Sequence, residues 1–261
     1  MEIKIFQVDA FSDQIFSGNP AAICPLEEWL DDKILLNIAQ ENNLSETAFF
    51  IATDEGFHLR WFTPEIEMDL CGHATLASAH VIFHHLGHQD KVVKFQSLSG
   101  PLEVIKDNSK LTLDFPSRPP IAAELPGIIL KAFDKTPDFV LKARDYLLVY
   151  KNEEMINSIT PDQALLQQIN LDPGGIIITA PGDEVDFVSR FFTPGASVFE
   201  DPVTGSAHCT LTPYWSDILG KKKLQARQIS PRGGSLECEL INDRVLISGH
   251  AKTYLSGTIF I

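Results

Sequence analysis

The chain has 261 residues, with 35 acidic against 21 basic side chains and a formal net charge of -14. With 44% hydrophobic and 21% charged residues it has the profile of a folded protein, and its acid excess argues against nucleic acid or an anionic membrane surface as partner. No apolar run approaches the roughly 18 residues that span a bilayer, and the four cysteines, with no CxxC pair, are too sparse for a disulfide scaffold.

The N-terminal Met1-Glu2-Ile3-Lys4 enters an alternating strand at once, without the regions of a signal peptide, so a reduced, cytoplasmic protein is expected. Ile3–Val8 reads as that strand, and Ser17-Gly18-Asn19-Pro20 as a turn into a second near Ala21–Cys24. Asp31-Asp32 opens a helix running to about Asn42. Thr47–Ala52 and Phe57–Phe62 follow as strands, and Gly72 to about Leu86 as a long helix stopped by Gly87. Strands near Val92–Gln96, Leu102–Ile105 and Leu111–Phe115 lead to Arg118-Pro119-Pro120, the best linker candidate because prolines cannot donate to a sheet. Beyond it come strand Asp145–Val149, helix Pro161–Ile169, strands Gly175–Ala180 and Phe187–Phe192, and helix Gly205–Leu219. The last strands fall near Arg227–Ser230, Ser235–Ile241, Arg244–Ser248 and Tyr254–Ile261.

These two series echo one another. Arg60-Trp61-Phe62-Thr63-Pro64 returns as Arg190-Phe191-Phe192-Thr193-Pro194, and Leu35-Leu36 as Leu165-Leu166, both displaced by 130 residues. A small-residue segment follows each Thr-Pro, at Gly72 and at Gly205, with a short insertion in the second copy. A period this long is far above that of solenoids and predicts two similar domains, 1–118 (joined by part of the C-terminal tail) and 121–261. Each has one long, small-residue-rich, apolar helix that a curling sheet would bury, so the expected class is α+β.

The helix starts at Gly72-His73 and Gly205-Ser206 leave backbone amides unshielded, which suits a carboxylate if both face one cleft. At Ala74, Ala77 and Ala79 tight packing of the helix is the favoured explanation of the small residues. Glu46 precedes the apolar strand Ala48-Phe49-Phe50-Ile51, whereas the matching Gly174-Gly175-Ile176-Ile177 has no acid. A carboxylate present in one copy only fits a one-base proton shuttle, with a pKa raised by apolar neighbours; a surface strand-entry glutamate is the equal alternative. Asp201 is expected as an acid or as the group fixing the tautomer of His73, or more plainly as a helix cap. Cys71 at a helix N-terminus invites a lowered thiol pKa, but the place before Gly205 is Thr204, so a cysteine pair is not available. His80, His84 and His88 repeat at helical spacing without an HExxH and read as C-terminal helix charges, not zinc ligands. No phosphate-binding loop, dinucleotide turn or nucleophile elbow occurs.

The motifs Phe16-Ser17-Gly18-Asn19-Pro20-Ala21-Ala22, Asn43-Leu44-Ser45-Glu46-Thr47-Ala48, Phe62-Thr63-Pro64, Cys71-Gly72-His73-Ala74-Thr75 and Asp201-Pro202-Val203-Thr204-Gly205-Ser206-Ala207 together resemble the PhzF-like (phenazine biosynthesis-like) family with the diaminopimelate epimerase fold. The resemblance implies two similar domains, each a curled mixed or antiparallel sheet around a central helix. It further implies a homodimer without cofactor or metal. It assigns proton transfer to a glutamate at the place of Glu46, aided by His73, Asp201 and Ser206. The expected function is a cofactor-independent isomerase of a small carboxylate. Glu46, His73 and Asp201 would be catalytic, and Asn19, Gly72, Ala74, Gly205 and Ser206 would bind substrate. The alternative is a non-catalytic small-molecule-binding or interaction module on the same scaffold.

Overall fold

The computed structural model describes residues 1–171, 174–196 and 198–261. They form two compact units, Met1–Asp114 with Ile247–Ile261, and Phe115–Leu246. The first boundary thus falls a few residues before the expected 118, and the C-terminal strand belongs to the first unit, ending the second at 246 rather than 261.

In unit 1, β1 (Glu2–Ala10), β2 (Asn19–Leu26), α1 (Asp32–Asn42), β3 (Glu46–Thr53), β4 (Gly56–Phe62), β5 (Glu67–Met68), α2 (Gly72–His84), β6 (Val92–Ser97), β7 (Gly100–Asp107) and β8 (Lys110–Pro116) follow in order. β8 runs across the boundary between the units. Unit 2 continues with β9 (Ile121–Ala122), α3 (Gly127–Ala132), β10 (Phe139–Lys142), β11 (Tyr146–Val149), α4 (Glu153–Ser158), α5 (Gln163–Leu166), β12 (Ile176–Pro181), β13 (Phe187–Phe192), β14 (Glu200–Asp201), α6 (Gly205–Leu219), β15 (Lys223–Gln228) and β16 (Gly234–Ile241), and β17 (Arg244–Gly249) crosses the boundary back into unit 1. β18 (Ala251–Phe260) returns to unit 1 and pairs antiparallel with β1 along its length.

Unit 1 mixes antiparallel pairs (β1–β2, β3–β4, β6–β7, β7–β8) with parallel ones (β2–β3, β4–β6). Its sheet lies on α2 through β1, β2, β3, β7 and β18, which is why twelve of the thirteen residues of α2 are buried. A helix enclosed on all sides has no polar face to show, and Ala74, Leu76, Ala77, Ala79, Val81 and Ile82 fill the interior. On the opposite face of the sheet, Leu35, Ile38 and Ala39 of α1 pack on Ile3, Ile5, Cys24, Phe49 and Phe62. In unit 2 the pairs β11–β12 and β13–β15 are parallel, and β12–β13 and β15–β16 antiparallel. There Trp215 of α6 stacks on Phe187 of β13 and donates its indole N–H to Thr179.

The sequence echo has a side-chain cause. Arg60 forks onto both carboxylate oxygens of Glu67 at 2.7 Å and lies over the Phe62 ring at 5.1 Å. Arg190 does the same with Glu200 at 2.7 and 2.9 Å and with Phe192 at 5.0 Å. Arg–x–Phe is therefore a bidentate pair with a stacked guanidinium, a geometry that lysine cannot reproduce. Thr63 N–H closes its loop on Ile66 O, and Thr193 N–H closes a loop three residues longer on Phe199 O. That difference is the insertion separating the two copies.

Some elements differ from expectation. The strand expected at Arg227–Ser230 runs from Lys223 to Gln228, because Lys223 pairs opposite Glu239 in the ladder. The second-half helix contracts to Gln163–Leu166, capped at its start by Asp162. The short elements β5, β9 and β14, together with α3, α4 and β10, are additions to the expected order.

Candidate active site

β3 and α2 bring the unit 1 residues together. Glu46 is the first residue of β3, opposite Ala21 in the parallel ladder. His73 is the second residue of α2 and Asn19 the first of β2. Asn19 reaches its place through Gly18, whose φ of 71° lies in the left-handed region and whose Cβ, were there one, would sit 2.2 Å from Ala10 O. Phe16, φ 68°, holds a similar conformation without being glycine, its amide donating to the buried carboxylate of Asp9.

His73 is buried, and both ring nitrogens are engaged inside unit 1. The Asn19 amide lies 3.1 Å from Nδ1 and the Cys71 sulfur 3.5 Å from the same atom. In the neutral ring, Asn19 donating to Nδ1 leaves the proton on Nε2, which faces Glu46 Oε2 at 3.0 Å. The pair lies off the hydrogen-bond axis, so the contact is one of charge and proximity, with no hydrogen bond among the described residues at either atom. Burial is the largest influence on His73 and disfavours its charged form. Cys71 and Glu46 oppose it, and the pKa of the ring is raised well above its usual value. The sequence reading offers Asp201 as the group fixing the His73 tautomer; Asn19 does this within His73's own unit.

Cys71 departs from the lowered pKa that its helix position suggests. Burial, with repulsion from Glu46, pushes its thiol up to about 11. Glu46, Cys71 and His73 do offer one donor atom each within 4.8 Å of one another, the spacing of a metal site. Yet the imidazole stands between the other two, Cys71 at Nδ1 and Glu46 at Nε2. One ring nitrogen can bind one ion, so the arrangement joins the carboxylate to the imidazole more readily than it closes round a cation. At the far end of α2, His80 and His85 both direct Nε2 to Thr253, at 2.9 and 2.8 Å, while His84 bonds His80 O and His88 bonds Val92 O. These histidines serve packing against β18 and the helix end.

Unit 2 treats the matching positions differently. By ladder register Gly175 occupies the place of Glu46, since Ile176 stands opposite Phe192 as Thr47 stands opposite Phe62. A Cβ on Gly175 would lie 2.5 Å from Phe191 Cζ and 2.7 Å from Phe192 O. No side chain fits there, so the one-sided acid is a steric consequence of packing as well as a sequence fact. Thr204 stands before Gly205 as Cys71 stands before Gly72. Its hydroxyl donates to Asp201 Oδ2 at 2.5 Å, leaving α6, like α2, without a side-chain cap. Gly205 is buried and Ser206 half-buried. His208, one turn on, donates Nδ1–H to Thr204 O, and burial lowers its pKa to about 4. Gln228, at the end of β15, bonds the Asp201–Thr204 loop from behind. No motif announces that contact; it requires β15 to run beside β13.

Together these features define an α+β fold of the epimerase type. The family model "Phenazine biosynthesis-like protein" (PhzC-PhzF) matches residues 8–257, and the chain belongs to that family. An uncharacterized isomerase of Pseudomonas aeruginosa is 49% identical over 261 residues, spanning the whole of both chains. The crystal structure of a PhzF-family protein from Enterococcus faecalis superposes with a TM-score of 0.96 at 45% identity, covering 100% of each chain. A hydroxyproline epimerase of Agrobacterium vitis, solved with bound trans-4-OH-L-proline, has a TM-score of 0.62 at 9% identity over 99% of this chain and 92% of its own, a likeness of fold alone.

Proposed function

We propose that the protein is an isomerase that removes a proton from a small carboxylate-bearing substrate and returns it elsewhere on the same molecule. Glu46 is the acid/base. The observation supporting this most is the Glu46–His73 pair, 3.0 Å apart and largely screened from water, in a unit whose counterpart position admits no side chain. A relative 49% identical carries the name isomerase, which agrees. Glu46 takes the proton from an acidic C–H, and the electron pair of that bond spreads into the adjoining π system as an enolate-like charge. Protonated Glu46 then delivers the proton to another carbon of that system, or to the other face of the same one. No electrons leave the substrate, so the step asks for no redox partner and no bound cofactor.

In this reading His73 stabilises the Glu46 carboxylate before the first transfer and after the second, and Asn19 holds the ring in place at Nδ1. The amides of Gly72, His73 and Ala74 open α2 and favour an anion. Asp201 orients substrate or moves a second proton, and Gly205 with Ser206 binds its carboxylate. Cys71, held as a thiol, packs. The test is a thermal-shift screen of small carboxylates, with each hit then followed by proton NMR in heavy water. Conversion with deuterium entering the carbon skeleton supports the isomerase; hits that bind and never exchange indicate a binding module.

A further inference from the structure

Gln228 is fully buried at the end of β15, and every polar atom of its side chain is spent on the loop that carries Asp201. Its Oε1 accepts the Thr204 N–H at 2.9 Å. Its Nε2 donates to Asp201 O at 2.7 Å and lies 3.2 Å from Thr204 Oγ1. Because the Gln228 amide occupies a lone pair of that hydroxyl, the one Thr204 hydroxyl proton is directed to Asp201 Oδ2. The next carbonyl, Pro202 O, is taken by Ser230 Oγ at 2.8 Å, and Ser230 in turn accepts the Gly233 N–H at 3.1 Å. Two successive carbonyls, an amide and a carboxylate are thus fixed from the end of β15 and the turn that follows it.

We propose that Gln228 is a positioning residue that acts through the Thr204 hydroxyl to aim the Asp201 carboxylate and hold it ionised. The inference rests on the reading of Asp201 as a working acid, but the relay itself exists without substrate. A hydroxyl aimed at the ionised carboxylate favours that form, so breaking the chain at either link raises the pH at which Asp201 takes up a proton. A buried glutamine with merely structural work would lower stability on removal and leave that titration in place.

The test follows the Asp201 carboxyl by carbon NMR, with labelled aspartate and Asp201→Asn for assignment, in wild type, Gln228→Met, Thr204→Val and the double variant. Each single variant is expected to raise the Asp201 midpoint by about one pH unit, and the double variant to raise it no further than either. An unmoved midpoint in Gln228→Met beside a raised one in Thr204→Val overturns the proposal, and so do shifts that add. If Gln228→Met fails to fold, Gln228→Glu replaces it, since it keeps the acceptor for the Thr204 amide and loses the donor to the hydroxyl; a shift that adds to that of Thr204→Val then comes from the introduced charge and overturns the proposal. The titration needs no substrate, so a failure of the isomerase reading leaves this result standing, and the converse holds.

Discussion

Gly175→Ala tests why only one unit carries the acid. The added Cβ meets Phe191 Cζ at 2.5 Å and Phe192 O at 2.7 Å, both well inside ordinary van der Waals contact. Phe191 is 6% exposed and cannot swing its ring into water, and the carbonyl belongs to the β13 backbone. Overpacking of this kind costs about 3 kcal/mol, and the stiffer unfolded chain returns about 0.5–1 kcal/mol, leaving a net loss near 2 kcal/mol. For a chain of this size that is a fall in Tm of roughly 4–8 °C. Gly127→Ala is the matched control. It stands at the first position of α3 with nothing within 4 Å of its added Cβ, and is expected to gain about 0.5 kcal/mol. Thermal melts followed by circular dichroism on the three proteins decide. A Gly175→Ala variant melting with wild type would show that a side chain fits there, and the steric account of the missing second carboxylate would fall.

Acid should weaken the fold through His208. Its folded pKa, about 4, lies below the ordinary value of 6.5, so between those values the unfolded chain binds a proton that the native state refuses. Stability is therefore lost as pH falls through this window, by up to about 3 kcal/mol. Urea melts at pH 7 and pH 4.5 should show a smaller loss in His208→Gln than in wild type; equal losses refute the assignment. Arg190→Met strips Glu200 of both its bonds and Ile156 O and Ile159 O of one each, and should cost about 3–5 kcal/mol by denaturant melts. Arg60→Met should cost less, since part of its pairing is with the exposed Asp32. The four cysteines are buried thiols with pKa values of about 11 or 12, so a thiol reagent at pH 8 should label none in the native protein and all four after denaturation. Rapid native labelling at Cys71 would contradict its place behind His73.

Much of this was legible in the residues because it is written in local chemistry. The two long helices are marked by small apolar residues between glycine starts and stops, and the strands before them by alternation. Glu46, His73 and Asn19 are named by motifs because each lies at the start of an element, where register leaves little freedom. What was illegible depends on partners distant in sequence. That Asn19, 54 residues before His73, meets its ring follows only from α2 packing on β2. Cys71 misleads because helix position and burial act oppositely on a thiol, and burial dominates. Gln228 is silent because glutamine at a strand end has no signature, and its importance comes wholly from the loop it faces. The Arg–x–Phe echo was visible as a repeat, while its reason, a forked ion pair stacked on phenylalanine, needed Glu67 and Glu200 brought opposite by the short strands β5 and β14.

The central claim is that Glu46 moves the proton. It is tested most directly by solvent deuterium incorporation into a substrate found by the carboxylate screen, comparing wild type with Glu46→Gln at matched protein concentration. The account predicts that deuterium enters the substrate carbon with wild type, and that Glu46→Gln, still folded and still binding, loses this by at least about 100-fold. Full exchange in Glu46→Gln would contradict it.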